Sequence, residues 1–140
     1  MWGASCETLV DPKNLDLLLE LAERVERIYV ARRASVDGRT SVSPILLTKI
    51  LLGTIGCVPA YDRFFMAGVG ETKVASGQFG RRSILSLARY YLQNKDMFEL
   101  CRLEISSRGQ DYPPMKLIDM CFWQIGYESD LNQAEFVTPL

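Results

Sequence analysis

The sequence predicts an all-α fold, a single-domain bundle of about six helices. Three observations carry this expectation. Apolar residues recur at three- and four-residue steps in several segments, the period of one helical face. Capping residues followed by proline, or paired prolines, open these segments at Asp11-Pro12, Ser43-Pro44 and Pro113-Pro114. Strand-like alternation never persists beyond a few residues. The chain has 140 residues, of which 48% are apolar, so one core can form without metal or disulfide support.

The first helix is expected over about residues 13–31, with Leu18, Leu21, Val25 and Ile28 recurring on one face. Two i,i+4 pairs, Glu20-Arg24 and Glu23-Arg27, support it. A polar link over residues 34–41 turns at Asp37-Gly38. The second helix opens at Ser43-Pro44 and runs through Thr54. Because it is apolar on nearly all sides, it is expected in the middle of the fold. Gly53 and Gly56 end it, and Val58-Pro59 forces an extended step. A short helix over 63–67 is capped by Asp62, and residues 68–80, with four glycines, read as loop.

A fourth helix over about 81–94 buries Ile84, Leu85, Ala88, Tyr91 and Leu92, and Asp96 can cap a fifth. The sixth follows Pro113-Pro114, spans residues 115–125 and is closed by Gly126. The expected organisation is one helical domain over residues 1–126 and a loose acidic tail over 127–140.

Composition narrows the chemistry. Sixteen basic and seventeen acidic residues leave a net charge of -1, which excludes a polybasic binder but not a local basic face. The chain has no histidine, so histidine triads and histidine general bases are excluded. Cys6, Cys57, Cys101 and Cys121 are far apart, form no CxxC pair and sit among apolar residues. They read as buried free thiols, so neither a metal nor a cofactor is expected. Met1–Glu7 lacks a basic lead and an apolar core, and the run from Ile45 to Val58 is too short to cross a bilayer. The expected location is cytoplasmic, with no membrane partner.

One segment suggests a function. Residues 43–65 read Ser-Pro-Ile-Leu-Leu-Thr-Lys-Ile-Leu-Leu-Gly-Thr-Ile-Gly-Cys-Val-Pro-Ala-Tyr-Asp-Arg-Phe-Phe. A helix with Lys49 near its start meets a glycine turn, a hydrophobic-proline step, and then Asp62 at the next helix. This resembles the second half of the catalytic signature of helix-hairpin-helix DNA glycosylases. The stretch Ile118-Asp119-Met120-Cys121-Phe122-Trp123-Gln124-Ile125-Gly126 is similar to a late helix of some members.

The resemblance implies a DNA-associated protein, active or inactive. Asp62 would stabilise the sugar cation, and Lys49 would act as the amine nucleophile. Tyr61 and Phe65 would line a pocket for an extruded base. The family's hairpin glycines are absent, since this stretch reads Thr40-Ser41-Val42-Ser43-Pro44. Lys73, Arg81 and Arg82 at a loop and helix start are the candidate phosphate contacts with duplex DNA.

Plainer roles stand beside these. Asp62 caps a helix, Lys49 reaches from an apolar helix to water, and the basic loop is a solvated turn. The alternative function is a non-enzymatic module that binds a protein partner and displays an exposed apolar patch.

Overall fold

The computed structural model describes residues 5–106 and 109–137. Among these residues the fold is all-α, with seven helices and no strand. They are α1 (Cys6–Leu9), α2 (Pro12–Val36), α3 (Pro44–Thr54), α4 (Arg63–Thr72), α5 (Arg81–Gln93), α6 (Lys95–Ser106) and α7 (Pro114–Val137). No helix among the described residues is long and apolar enough to cross a membrane.

Local chemistry sets most of the starts. Asp11, Ser43 and Asp62 each cap a helix, accepting from the amides of Lys13, Leu46 and Phe65. Proline follows the first two caps, where its missing N–H costs nothing. The four-residue α1 was not anticipated. It is held by Ser5, which accepts from the Thr8 amide, and it buries Cys6 and Leu9.

The two longest departures from the sequence reading share one cause. Gly68 and Gly70 lie inside α4, which runs to Thr72 rather than ending at Ala67. Gly126 lies inside α7, which continues through Val137. The acidic stretch 127–137 is therefore helix and not a loose tail; residues 138–140 lie outside the described residues. Both Gly68 and Gly126 sit where α4 crosses α7. A Cβ at Gly68 would press on the Phe122 carbonyl, 2.8 Å from its carbon and 3.1 Å from the Gly126 nitrogen. A Cβ at Gly126 would press equally on the Phe64 carbonyl, 2.8 Å from its carbon. Each glycine is the notch that admits the other helix's backbone, so tertiary contact outweighs its usual tendency to end a helix.

Aromatic contacts extend the crossing outward. Trp123 and Tyr127 stack with centroids 5.1 Å apart, and Phe64 meets them edge-on at 5.1 and 5.4 Å. Arg63 reaches Asp130 at 3.7 Å, tying α4 to the last turns of α7. On the inner side Phe65, Phe122, Tyr90 and Phe98 form a chain with centroids 5.5–6.1 Å apart. The core is centred here and on α5, which buries Ser83, Ile84, Leu87, Ala88 and Tyr91. The second predicted helix, α3, is not central. It buries Leu47, Thr48 and Leu51 on one face and exposes Ile45 and Leu46.

The crossing yields a test whose sign opposes helix propensity. Gly68→Ala and Gly126→Ala should each destabilise the protein by about 1–3 kcal/mol in urea unfolding, the usual range for overpacking. Propensity alone would stabilise each by about 1 kcal/mol. Gly70 in α4 faces open space, so Gly70→Ala should show that gain. Stabilisation at Gly68 would contradict the crossing.

Candidate functional site

Between α3 and α4 the chain is not helical, and two side chains bond its amides. Gly56 has a left-handed φ of +67°, and a Cβ on it would meet Pro113 Cγ at 2.6 Å. Glycine at this turn therefore lets the end of α3 abut the start of α7. Residues 57–61 are then buried without helical partners for their amides. The Ala60 amide donates to Asp119 Oδ1 at 2.9 Å, and the Tyr61 amide donates to Thr48 Oγ1 at 2.9 Å. Thr48 in turn donates to the Pro44 carbonyl at 2.7 Å. Asp119 is itself buried, and its second oxygen accepts from Lys116 Nζ at 2.8 Å. Polar groups removed from water need partners, and this clasp supplies them for the Ala60 and Tyr61 amides.

The segment ends at Asp62, which has two functions. Its Oδ1 accepts from the Phe65 amide at 3.1 Å, and its Oδ2 lies 3.9 Å from Lys49 Nζ. The cap and the ion pair are thus compatible. The bend between α3 and α4 does bring Lys49 and Asp62 together. Their separation is an ion pair rather than a hydrogen bond.

Lys49 and Asp62 stand at the edge of an open groove of about 1090 Å³ between α3, α6 and α7. Its walls are mainly apolar, with Leu52, Met97, Cys101, Ile105, Met120 and Trp123 among them. Lys116 and Asp119 also line it, so two amine-carboxylate pairs share this face.

The other predicted site residues lie elsewhere. Tyr61 and Phe65 are core residues, 2% and 0% exposed, and do not line the groove. Their rings pack edge to face at 5.0 Å. Tyr61 donates to Ser83 Oγ at 2.6 Å, because the one Ser83 hydroxyl proton goes to the Ser76 carbonyl. Burial pushes the Tyr61 phenol well above its ordinary range, beyond the offsetting effect of Ser83. Lys73 is the left-handed C-cap of α4, Arg81 pairs with Asp16 on α2, and Arg82 is exposed at the start of α5. None of these three cations lines the groove.

Among the described residues, about half of the basic side chains pair with carboxylates. Lys95 meets Glu7 at 2.5 Å, and its hydrogen bond holds the Glu7 carboxyl below the usual carboxylate range. Arg102 donates twice to Glu99, at 2.9 and 2.8 Å, and once to Asp111 at 2.9 Å. Those bonds hold Glu99 below its ordinary range as well.

All four cysteines are free. Burial pushes the Cys6 thiol up to about 12 and Cys57 up to about 11, so both are poor nucleophiles. The expectation of buried thiols fails for Cys101, which is exposed on the groove wall, and Cys121, which also lines the groove, is half-buried. Among the described residues, no cluster of three or more cysteine or carboxylate side chains is placed to hold a metal ion.

Sequence reading assigned no role to Asp119, Lys116 or Thr48. A signal for Asp119 was present, as a lone carboxylate between Ile118 and Met120 in an apolar helix. Such a carboxylate requires a partner that only the folded chain supplies. Comparison of the chain with protein-family models, curated proteins and solved structures gave no match.

The clasp predicts a stability hierarchy. Asp119→Ala strands the buried Ala60 amide and should cost about 1–3 kcal/mol in urea unfolding. Asp119→Asn keeps an acceptor for that amide and should recover part of the loss. An alanine variant as stable as the parent would contradict the clasp.

Proposed function

We propose that the protein is a non-enzymatic interaction module that receives a protein partner in the groove between α3, α6 and α7. One observation carries this reading. The groove is open and mainly apolar, and Met97 and Met120 on its walls are 47% and 38% exposed. Exposed apolar surface gathered in one concavity costs solubility unless a partner covers it. Methionine suits such a surface, because its unbranched side chain adapts to different shapes. At the groove the two amines, Lys49 and Lys116, are each paired with a carboxylate, which lowers the positive charge offered to a phosphate backbone there.

A second reading rests on the approach of Lys49 to Asp62. It is the DNA-associated protein, similar to the helix-hairpin-helix DNA glycosylase fold and possessing or lacking activity. The burial of Tyr61 and Phe65 takes away the base pocket that this reading expected. Lys73, Arg81 and Arg82 do not line the groove, so they do not converge there with Lys49 and Asp62 as this reading expected.

Two measurements separate the readings. A photo-crosslinking residue at Met120 should give protein adducts in cells, while one at exposed Ile28 on α2 should not. Adducts from neither position, or equally from both, would overturn the groove as the docking site. Retention of duplex DNA at low salt that weakens as salt rises would instead favour the second reading.

A further inference from the structure

The groove's shape and charges indicate what kind of segment fills it, an inference that rests on the interaction-module reading. We infer that the occupant is an amphipathic helix of about two to three turns with carboxylates flanking its apolar face. Length comes first. Groove-lining residues on α7 extend from its first turn to Gln124, and on α6 from Met97 to Ile105. At about 1.5 Å per residue the α7 wall from Lys116 to Gln124 is roughly 13 Å long, which matches about two to three turns of a helix laid beside it.

Backbone chemistry then selects a helix over an extended peptide. An added strand gains its affinity from the unpaired amides and carbonyls of a sheet edge. All three walls here are helices, whose backbone groups are largely satisfied internally, and no strand exists among the described residues. An extended occupant would bury its own amides against apolar side chains without partners. A helix arrives with those groups already bonded.

Charge complementarity supplies the acidic edge. In both groove pairs the carboxylate is the buried member and the amine the accessible one. The Lys49 and Asp62 side chains are 54% and 21% exposed, and those of Lys116 and Asp119 are 34% and 8% exposed. Each carboxylate also accepts from a backbone amide of its own chain, Phe65 for Asp62 and Ala60 for Asp119. An ammonium carries three donors, and each lysine directs one toward its carboxylate, so donors remain for a ligand. The occupant therefore meets apolar walls edged by two amines with donors to spare, and acidic side chains complement them.

Selection from a displayed library of peptides long enough for three helical turns tests the inference. The expected winners carry apolar residues at i, i+3 or i+4, and i+7, with aspartate or glutamate alongside. Their binding should fall more than about tenfold on Met120→Arg, the cost of an unpaired charge against an apolar face. It should fall up to about fivefold on Lys49→Gln, the scale of one exposed charge pair. Lys49→Gln leaves the Asp119 clasp intact, and circular dichroism would confirm that both variants fold. Groove-dependent winners without acidic residues would overturn the charge inference and leave the module reading standing. Winners indifferent to Met120→Arg, or no winners, would overturn both.

Discussion

Two helices of this protein touch backbone to backbone. Gly68 of α4 lies against the Phe122 carbonyl of α7, and Gly126 of α7 lies against the Phe64 carbonyl of α4. Any side chain at either position would push the helices apart. This crossing sorts neighbouring aromatics onto two sides, with Phe65 and Phe122 inward and Phe64, Trp123 and Tyr127 outward. It also fixes the start of α4 beside the first half of α7, which brings Asp62 and Asp119 to one face. The close approach of α4 and α7 thus sets one side of the groove.

Given that approach, the chain between α3 and α4 has little freedom. Its residues are buried but not helical, so their amides need side-chain partners. Thr48 from α3 and Asp119 from α7 supply them for Tyr61 and Ala60, and Asp62 begins the next helix. The same carboxylates that satisfy the backbone hold Lys49 and Lys116 at the groove. Charges that serve the fold and charges available to a partner are therefore opposite ends of the same pairs. This division explains how a nearly neutral chain can present an amine-edged apolar surface.

Local rules made much of this legible in the sequence. The caps at Asp11, Ser43 and Asp62 and the prolines behind the first two depend on adjacent residues only, and they appear where expected. The inner face of α5 followed from periodicity, except that Leu85 and Leu92 are only partly buried. The meeting of Lys49 and Asp62 was also readable, because a glycine turn and a proline step set the bend between them. Long-range packing was not readable. Gly68 and Gly126 looked like breaks because a glycine's need for close approach depends on a helix more than fifty residues away. Tyr61 and Phe65 looked like pocket residues because aromatic side chains serve cores and pockets equally well. The groove itself combines three helices, and no single segment encodes it.

A double-mutant cycle across the crossing measures its central feature directly. If Gly68 and Gly126 share one close contact, the displacement forced by the first alanine makes room for the second. The paired variant should then be less destabilised than the sum of the single variants, with a coupling of about 0.5–3 kcal/mol. Additivity within about 0.3–0.5 kcal/mol would mean that the two glycines act independently, and would contradict the reciprocal crossing.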